Sequence, residues 1–278
     1  MNHSKGILVC IGGAEDKSSR KEQEENHELP FSRYSILNTI VELTQKKEPS
    51  VEVITTAYSI PDEYFAKYKK AFKELGCGHV GHLGISKRDE ADDKKLVQRI
   101  NDCDIAMFTG GDQLRLCSIL GGTPLLDRLK ERYQEEHIVI AGTSAGAAAI
   151  SNTMICGGNP ERSYFKGEVM LSPGFGFLHN AIIDTHFDKP GRFGRLAQAI
   201  AAQEGAIGIG LGEDTGVVIE HGTSFRAIGP NSVVVLDGSK VHYNNIAAIS
   251  DGMPISIGSL VVHILAHADI FDIEKKEG

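Results

Sequence analysis

Ser144, His186 and Glu213 each close an apolar run, and together they have the types needed for acyl transfer. Ser144 lies in HIVIAGTSAGAAAIS, His137–Ser151, where a β-branched run turns through Gly142-Thr143-Ser144-Ala145-Gly146 into an Ala-rich helix former. A serine on a strand-to-helix turn, with glycine two residues away on each side, is the pattern of a nucleophile elbow. Small neighbours tolerate the strained backbone, and the hydroxyl projects over the edge of the sheet. Backbone N–H groups opening the following helix, that of Ala145 among them, face an oxyanion forming there. The plainer alternative is a tight strand–helix connection with a spare hydroxyl. A second GTS, Gly222-Thr223-Ser224, lacks the later glycine and the helix former and reads as a turn between strands.

A serine hydroxyl needs a base to take its proton. Of eleven histidines, His186 ends the apolar strand AIIDTHF, Ala181–Phe187, and a strand end is where a base belongs. His137 and His179 stand at strand starts, and His263 and His267 fall in a late apolar segment that suits structural roles. His79 and His82 have metal-like spacing but no third ligand nearby. Two carboxylates could orient His186. Asp184 shares its strand face, and an i, i+2 neighbour points parallel to the ring rather than at it. Glu213 is delivered by another Gly-rich strand, IGIGLGEDT, to its carboxyl end, and is the better orienter.

The elements that must position these residues alternate along the chain. Strands are predicted at Gly6–Ile11, Val51–Ile54, Ile105–Phe108 and His137–Ala141. Helices are predicted at Phe31–Gln45, Tyr64–Leu75, Asp92–Ile100, through Leu116, and at Leu125–Gln134. This pattern implies an α/β fold, a mostly parallel central sheet with helices on both faces, whose sites collect beyond the carboxyl ends of the strands. After Gly205 the runs shorten: Ile207–Gly210, Gly216–Ile219, Phe225–Ile228, Val233–Leu236 and Val241–Tyr243 suggest strands extending the same sheet. No Pro/Ser linker divides residues 1–278, so one domain is expected. Asp16–Glu28 is polar, without apolar periodicity, and reads as a solvated loop.

Composition narrows the function classes. The 278 residues are 41% apolar and 24% charged, ordinary for a globular chain. A net charge of -8 argues against nucleic-acid or anionic-membrane binding and leans towards a substrate carrying positive groups. Five scattered cysteines without a CxxC pair suit free thiols in a reducing compartment. The absence of a signal peptide or long apolar span makes a cytoplasmic location the expectation. Neither G-x-G-x-x-G nor G-x-x-x-x-G-K occurs, and Gly12-Gly13-Ala14-Glu15-Asp16 puts acids where a phosphate would sit, which disfavours a nucleotide-binding module.

Six segments in order resemble the family of serine peptidases that contains cyanophycinase and α-aspartyl dipeptidase. They are IGGAEDK at Ile11–Lys17, FTGGDQ at Phe108–Gln113, GTSAGA at Gly142–Ala147, KGEVMLSPGFGFL at Lys166–Leu178, DTHF at Asp184–Phe187 and GEDTG at Gly212–Gly216. The resemblance implies a fold like that of class I glutamine amidotransferases, with Ser144 as nucleophile, His186 as base and Glu213 as its orienter. It adds Gly111 to Ala145 in the oxyanion hole, Gln113 and Asp184 in the substrate pocket, and Arg192 and Arg195 as holders of substrate carboxylates. Thr185, also in the pocket, stands where the family usually has glutamine, and Lys189-Pro190-Gly191 thins the basic cluster that follows.

The activity so implied is exopeptidase cleavage of the polyaspartate backbone of cyanophycin, whose β-carboxyls carry arginine, releasing β-Asp-Arg dipeptides. The mechanism calls for no metal or organic cofactor, and the family suggests a homodimer. An α-aspartyl dipeptidase with the same triad, or a non-catalytic binding relative, are the alternatives.

Overall fold

The structure, a computed structural model, describes residues 4–15, 35–203 and 205–278. The proposed loop Asp16–Glu28 and the first residues of the helix expected from Phe31 lie outside the described residues.

Five strands run parallel in the larger sheet: β1 (Ile7–Ile11), β2 (Ser50–Ile54), β3 (His79–Leu83), β4 (Ile105–Phe108) and β5 (Val139–Thr143). Alternation along them divides the core. Ile7, Val9 and Ile11 of β1 face one cluster with Val51, Val53, Val139 and Ala141. Leu8 and Cys10 face the other with Ile54, Ala106 and Ile140. Helices α1 (Ser35–Glu42) and α2 (Pro61–Glu74) cover the first face through Ile36, Leu37, Ile40, Tyr68 and Phe72. The second is covered by α3 (Lys94–Asp102), α4 (Gln113–Leu120), α5 (Pro124–Glu135) and α6 (Ala145–Ile150). The expected helices begin where caps place them: Asp93, Asp112 and Thr123 accept from backbone N–H groups of the first turns of α3, α4 and α5.

A hairpin of β6 (Thr153–Gly158) and β7 (Val169–Pro173) leads to β8 (Ala181–Thr185) and helix α7 (Arg192–Ala201). Then follow β9 (Ile207–Leu211), β10 (Gly216–Glu220), β11 (Ser224–Ile228) and β12 (Val233–Asp237). The chain ends with β13 (Tyr243–Asn244), β14 (Ile257–Gly258), β15 (Val261–Leu265) and β16 (Ile270–Asp272).

Here the expectation of one extended sheet needs correction. Only β10, β11 and β16 join the larger sheet, which has the order β16-β11-β10-β1-β5-β4-β2-β3. β9 and β12 join β8 and β15 in a second, four-stranded sheet ordered β15-β12-β9-β8. The physical reason is the α7 crossover. It returns the chain beside β8 as its parallel partner β9, and β12 takes the other edge of β9, so no edge of β9 is left for β1. The strand expected at Val241–Tyr243 shrinks to a two-residue ladder, Tyr243–Asn244 with Ile257–Gly258. One buried cluster joins the two sheets: Ile183, Ile209 and Val235 of the second pack with Leu8 and Ile140 of the first. The outer face of the second sheet is covered by Leu196 and Ile200 of α7.

All five cysteines are free. Burial pushes the Cys77 thiol up to about 11 and those of Cys103 and Cys117 to about 12, so they pack as protonated apolar groups. No helix among the described residues is long and apolar enough to cross a membrane.

Candidate active site

The site lies where β1, β4, β5, β8 and β9 end. Between β5 and α6 the chain reverses at Ser144, whose φ of 50° and ψ of -112° are uncommon for a residue with a side chain. The flanking glycines are required by crowding. A Cβ on Gly142 would lie 2.5 Å from the Gly146 carbonyl carbon, and one on Gly146 would lie 2.5 Å from the Phe108 carbonyl oxygen.

His186 follows β8 with φ of 51°, so the pleat stops at Thr185 and the ring turns to the serine. Ser144 Oγ is 2.9 Å from His186 Nε2, and His186 Nδ1 is 3.0 Å from Glu213 Oε1. A carboxylate can only accept, so Nδ1 carries the proton towards Glu213, and Nε2 is left to accept from the serine hydroxyl. Glu213 sits in the short turn from β9 to β10, held by Asp188 Oδ1 on its N–H and by Asn231 Nδ2 on its carbonyl. Lys189 Nζ lies 3.5 Å from the same Oε1 that faces the histidine.

One short segment organises all three. The carbonyls of Ile11, Gly12 and Gly13, leaving β1, accept in turn from the N–H groups of Ser144 (2.9 Å), His186 (2.9 Å) and Asp214 (2.8 Å). Ala14, Ser144, His186 and Asp214 all have positive φ. Such conformations persist only where the surroundings over-determine them.

Gly110 and Gly111, after β4, run past the serine. A Cβ on Gly110 would touch that of Ser144 at 3.4 Å. Gly111 has φ of 134° and leaves no room for a side chain against the Ala57 carbonyl, 2.2 Å from where a Cβ would stand. Among the described residues neither the Gly111 nor the Ala145 N–H has a backbone acceptor.

The remaining residues singled out from the sequence fall into two groups. Gln113 opens α4 and donates from Nε2 to the Ile155 carbonyl, tying this loop to β6. Asp184, 1% exposed, takes both Nε and Nη2 of Arg195, while Arg192 Nη1 approaches to 3.9 Å. Burial pushes the Asp184 carboxyl above its ordinary value, and the Arg195 guanidinium opposes that shift. Arg195 thus has two of its donors engaged within the protein. Arg192 keeps a buried Nε with no partner among the described residues. Thr185 is buried, and its N–H bonds Asp184 Oδ1.

Sequence reasoning passed over the carbonyl clamp of residues 11–13 and the Asp188–Lys189–Asn231 cradle of Glu213. The glycine pair at the end of β1 was the available signal for the first; polar loop residues carried none for the second.

Peptidase family S51 matches residues 26–227 of the chain. The cyanophycinase of Synechococcus elongatus is 32% identical over 97% of this chain and 80% of its own length. That of Nostoc sp. is 30% identical over 98% of this chain and 87% of its own. Among solved structures, a peptidase from an acI-B1 Actinobacterium superposes with a TM-score of 0.65 at 20% identity, covering 98% of both chains. A putative peptidase E from Listeria monocytogenes gives 0.51 at 16% identity, over 81% of this chain and 98% of its own. These two likenesses bear on the fold alone. The extent of the family match and the near full-length relatives establish that the chain belongs to peptidase family S51 and is a serine-type peptidase.

Proposed function

We propose that Ser144, His186 and Glu213 hydrolyse the aspartyl backbone of cyanophycin as a catalytic triad. The observation that carries this reading is the continuous Glu213–His186–Ser144 hydrogen-bond chain on a strained strand-to-helix turn. His186 takes the Ser144 proton as Oγ attacks a main-chain aspartyl carbonyl. The N–H groups of Gly111 and Ala145, without a backbone acceptor among the described residues, hold the oxyanion, each such donor contributing about 10²–10³ in kcat. His186 returns the proton to the leaving amine, and water then cleaves the acyl-enzyme by the reverse sequence. The turn at Ser144 serves as a nucleophile elbow in an arrangement like the class I glutamine amidotransferases. The core shared between the two sheets supports reading the chain as one domain.

Several features favour this substrate over other peptides. The relatives that match along nearly the whole chain carry the name cyanophycinase. Arg192, whose buried Nε has no partner among the described residues, has a guanidinium suited to a backbone carboxylate through its outer donors. The net charge of -8 suits a polymer that displays arginines. A cytoplasmic homodimer is the assembly and setting that go with this reading.

The test is incubation of wild type and Ser144→Ala with purified cyanophycin, with products read by mass spectrometry. β-Asp-Arg from wild type alone is expected, with the variant's Tm unchanged. Turnover by a folded Ser144→Ala protein would refute the assignment. No release by wild type, with hydrolysis of Asp-Xaa dipeptides instead, would move the substrate to aspartyl dipeptides and leave the triad in place.

A further inference from the structure

Glu15 is a carboxylate only 3% exposed, and it takes no part in the Ser144–His186–Glu213 chain. A charge so deeply buried is costly unless hydrogen bonds offset the lost water. Thr143 Oγ1 donates to its Oε2 at 2.6 Å, and the Tyr68 hydroxyl of α2 donates to its Oε1. Burial pushes the Tyr68 phenol well above its ordinary value, and Glu15 adds to that shift, so the phenol keeps the proton it donates.

The position of these bonds gives them consequence. Thr143, also 3% exposed, is the last residue of β5 and immediately precedes Ser144. Glu15 follows, two residues on, the last of the carbonyls that receive the N–H groups of Ser144, His186 and Asp214. The carboxylate therefore bridges the two segments whose relative placement sets the distance from Ser144 to His186. Positive φ at Ala14 and Ser144 on either side means both segments would relax to other conformations if released.

We propose that Glu15 is a positioning residue for hydrolysis, locking the extension of β1 onto Thr143 and onto Tyr68 of α2 so that the Ser144 turn stays aligned with His186. It meets no reacting atom and acts through Thr143 and the carbonyl clamp. This rests on the reading of Ser144 as nucleophile.

The test compares wild type, Ser144→Ala, Glu15→Ala, Glu15→Gln, Thr143→Val and the Glu15→Ala/Thr143→Val double variant. Each is assayed on cyanophycin and with an alkyl fluorophosphonate that phosphonylates a reactive serine, with rates expressed per folded protein. A displacement near 1 Å can cost about 10²-fold in rate, so Glu15→Ala should lose at least about tenfold in kcat and in phosphonylation. KM should stay within about twofold, because transition-state alignment rather than substrate binding is lost. Glutamine spans the same distance, can donate to Thr143 Oγ1 and still accept from Tyr68, and should restore the rate to within about threefold. The double variant should be no slower than Glu15→Ala, since Thr143→Val removes a contact that Glu15→Ala has already removed.

A lower Tm with a wild-type phosphonylation rate in Glu15→Ala would reduce the carboxylate to a stabilising role and overturn the proposal, as would losses that multiply in the double variant. If Glu15→Ala does not fold, Thr143→Val decides: a slowed rate supports the proposal and an unchanged one overturns it. Failure of wild type to react at Ser144, or activity in Ser144→Ala, would instead remove the triad reading and this inference with it.

Discussion

At the scale of single residues, the site depends on close backbone approach. Gly13 shows this most directly: a Cβ there would stand 2.4 Å from His186 Cε1, at a φ of 117° that side chains rarely adopt. Gly13→Ala should push the imidazole away from Ser144 and lower kcat on the order of 10²-fold, with KM little changed. Steady-state kinetics per folded protein check this, and wild-type kcat would show that the ring can shift without penalty. The pairing of His186 with Glu213 rather than Asp184 was legible because a strand neighbour points parallel to the ring, whereas a second strand end can face it. The engagement of Asp184 by Arg195 was not legible, since an arginine on a helix looks the same in sequence whether it faces water or a buried acid. Glu15 was hidden for a related reason: in Gly12-Gly13-Ala14-Glu15-Asp16 it resembles any loop acid, and only the fold brings Thr143 and Tyr68 to it.

At the scale of elements, α7 is fastened to β8 beneath the site by Arg195 and Asp184. Removing one partner of a buried pair leaves an uncompensated charge, so Arg195→Leu should cost about 3–5 kcal/mol at neutral pH. The sign of the pH dependence follows from burial. With the guanidinium gone, the Asp184 carboxyl has a folded-state pKa above its unfolded value of about 3.9, so the folded chain holds the proton more tightly. The deficit should therefore shrink as pH falls towards 4 and grow as pH rises through the folded pKa. Urea unfolding of wild type and variant at several pH values measures it, and a deficit independent of pH would show that Asp184 finds another partner. The place of α5 was legible in its apolar spacing, while the Thr123 cap sets its first residue. Sheet membership was not legible. β9 and β10 are both short apolar strands, separated only by residues 212–215, yet they belong to different sheets. Nothing in their alternation distinguishes them; the α7 crossover does.

At the scale of the whole molecule, four of the five parallel strands and their helices were readable from the period of the first half, because each β–α unit carries its own apolar pattern; β3 was not, since two histidines and a glycine interrupt its apolar run. The closing strands depend on distant partners. Phe271 of β16 is fully buried and stacks on Phe225 of β11 at a centroid distance of 5.5 Å, sealing the far edge of the larger sheet. Phe271→Ala should cost about 3–5 kcal/mol, a fall in Tm on the order of 10 °C, by calorimetry. Activity at 20 °C should survive, since this edge lies away from the serine; a proportional loss of kcat would show that edge and site are coupled. The clamp at the end of β1 has a consequence for how the enzyme comes into being. Its acceptors are residues 11–13 and its donors are residues 144, 186 and 214, so the machinery is complete only when contacts spanning some two hundred residues have closed. On the triad reading, a chain still leaving the ribosome has the serine turn before it has the histidine and the glutamate, and should be inert towards its neighbours. Peptidase activity should thus be the last property to return on refolding, after the helices and the parallel sheet, which makes it a direct clock for the docking of the second sheet.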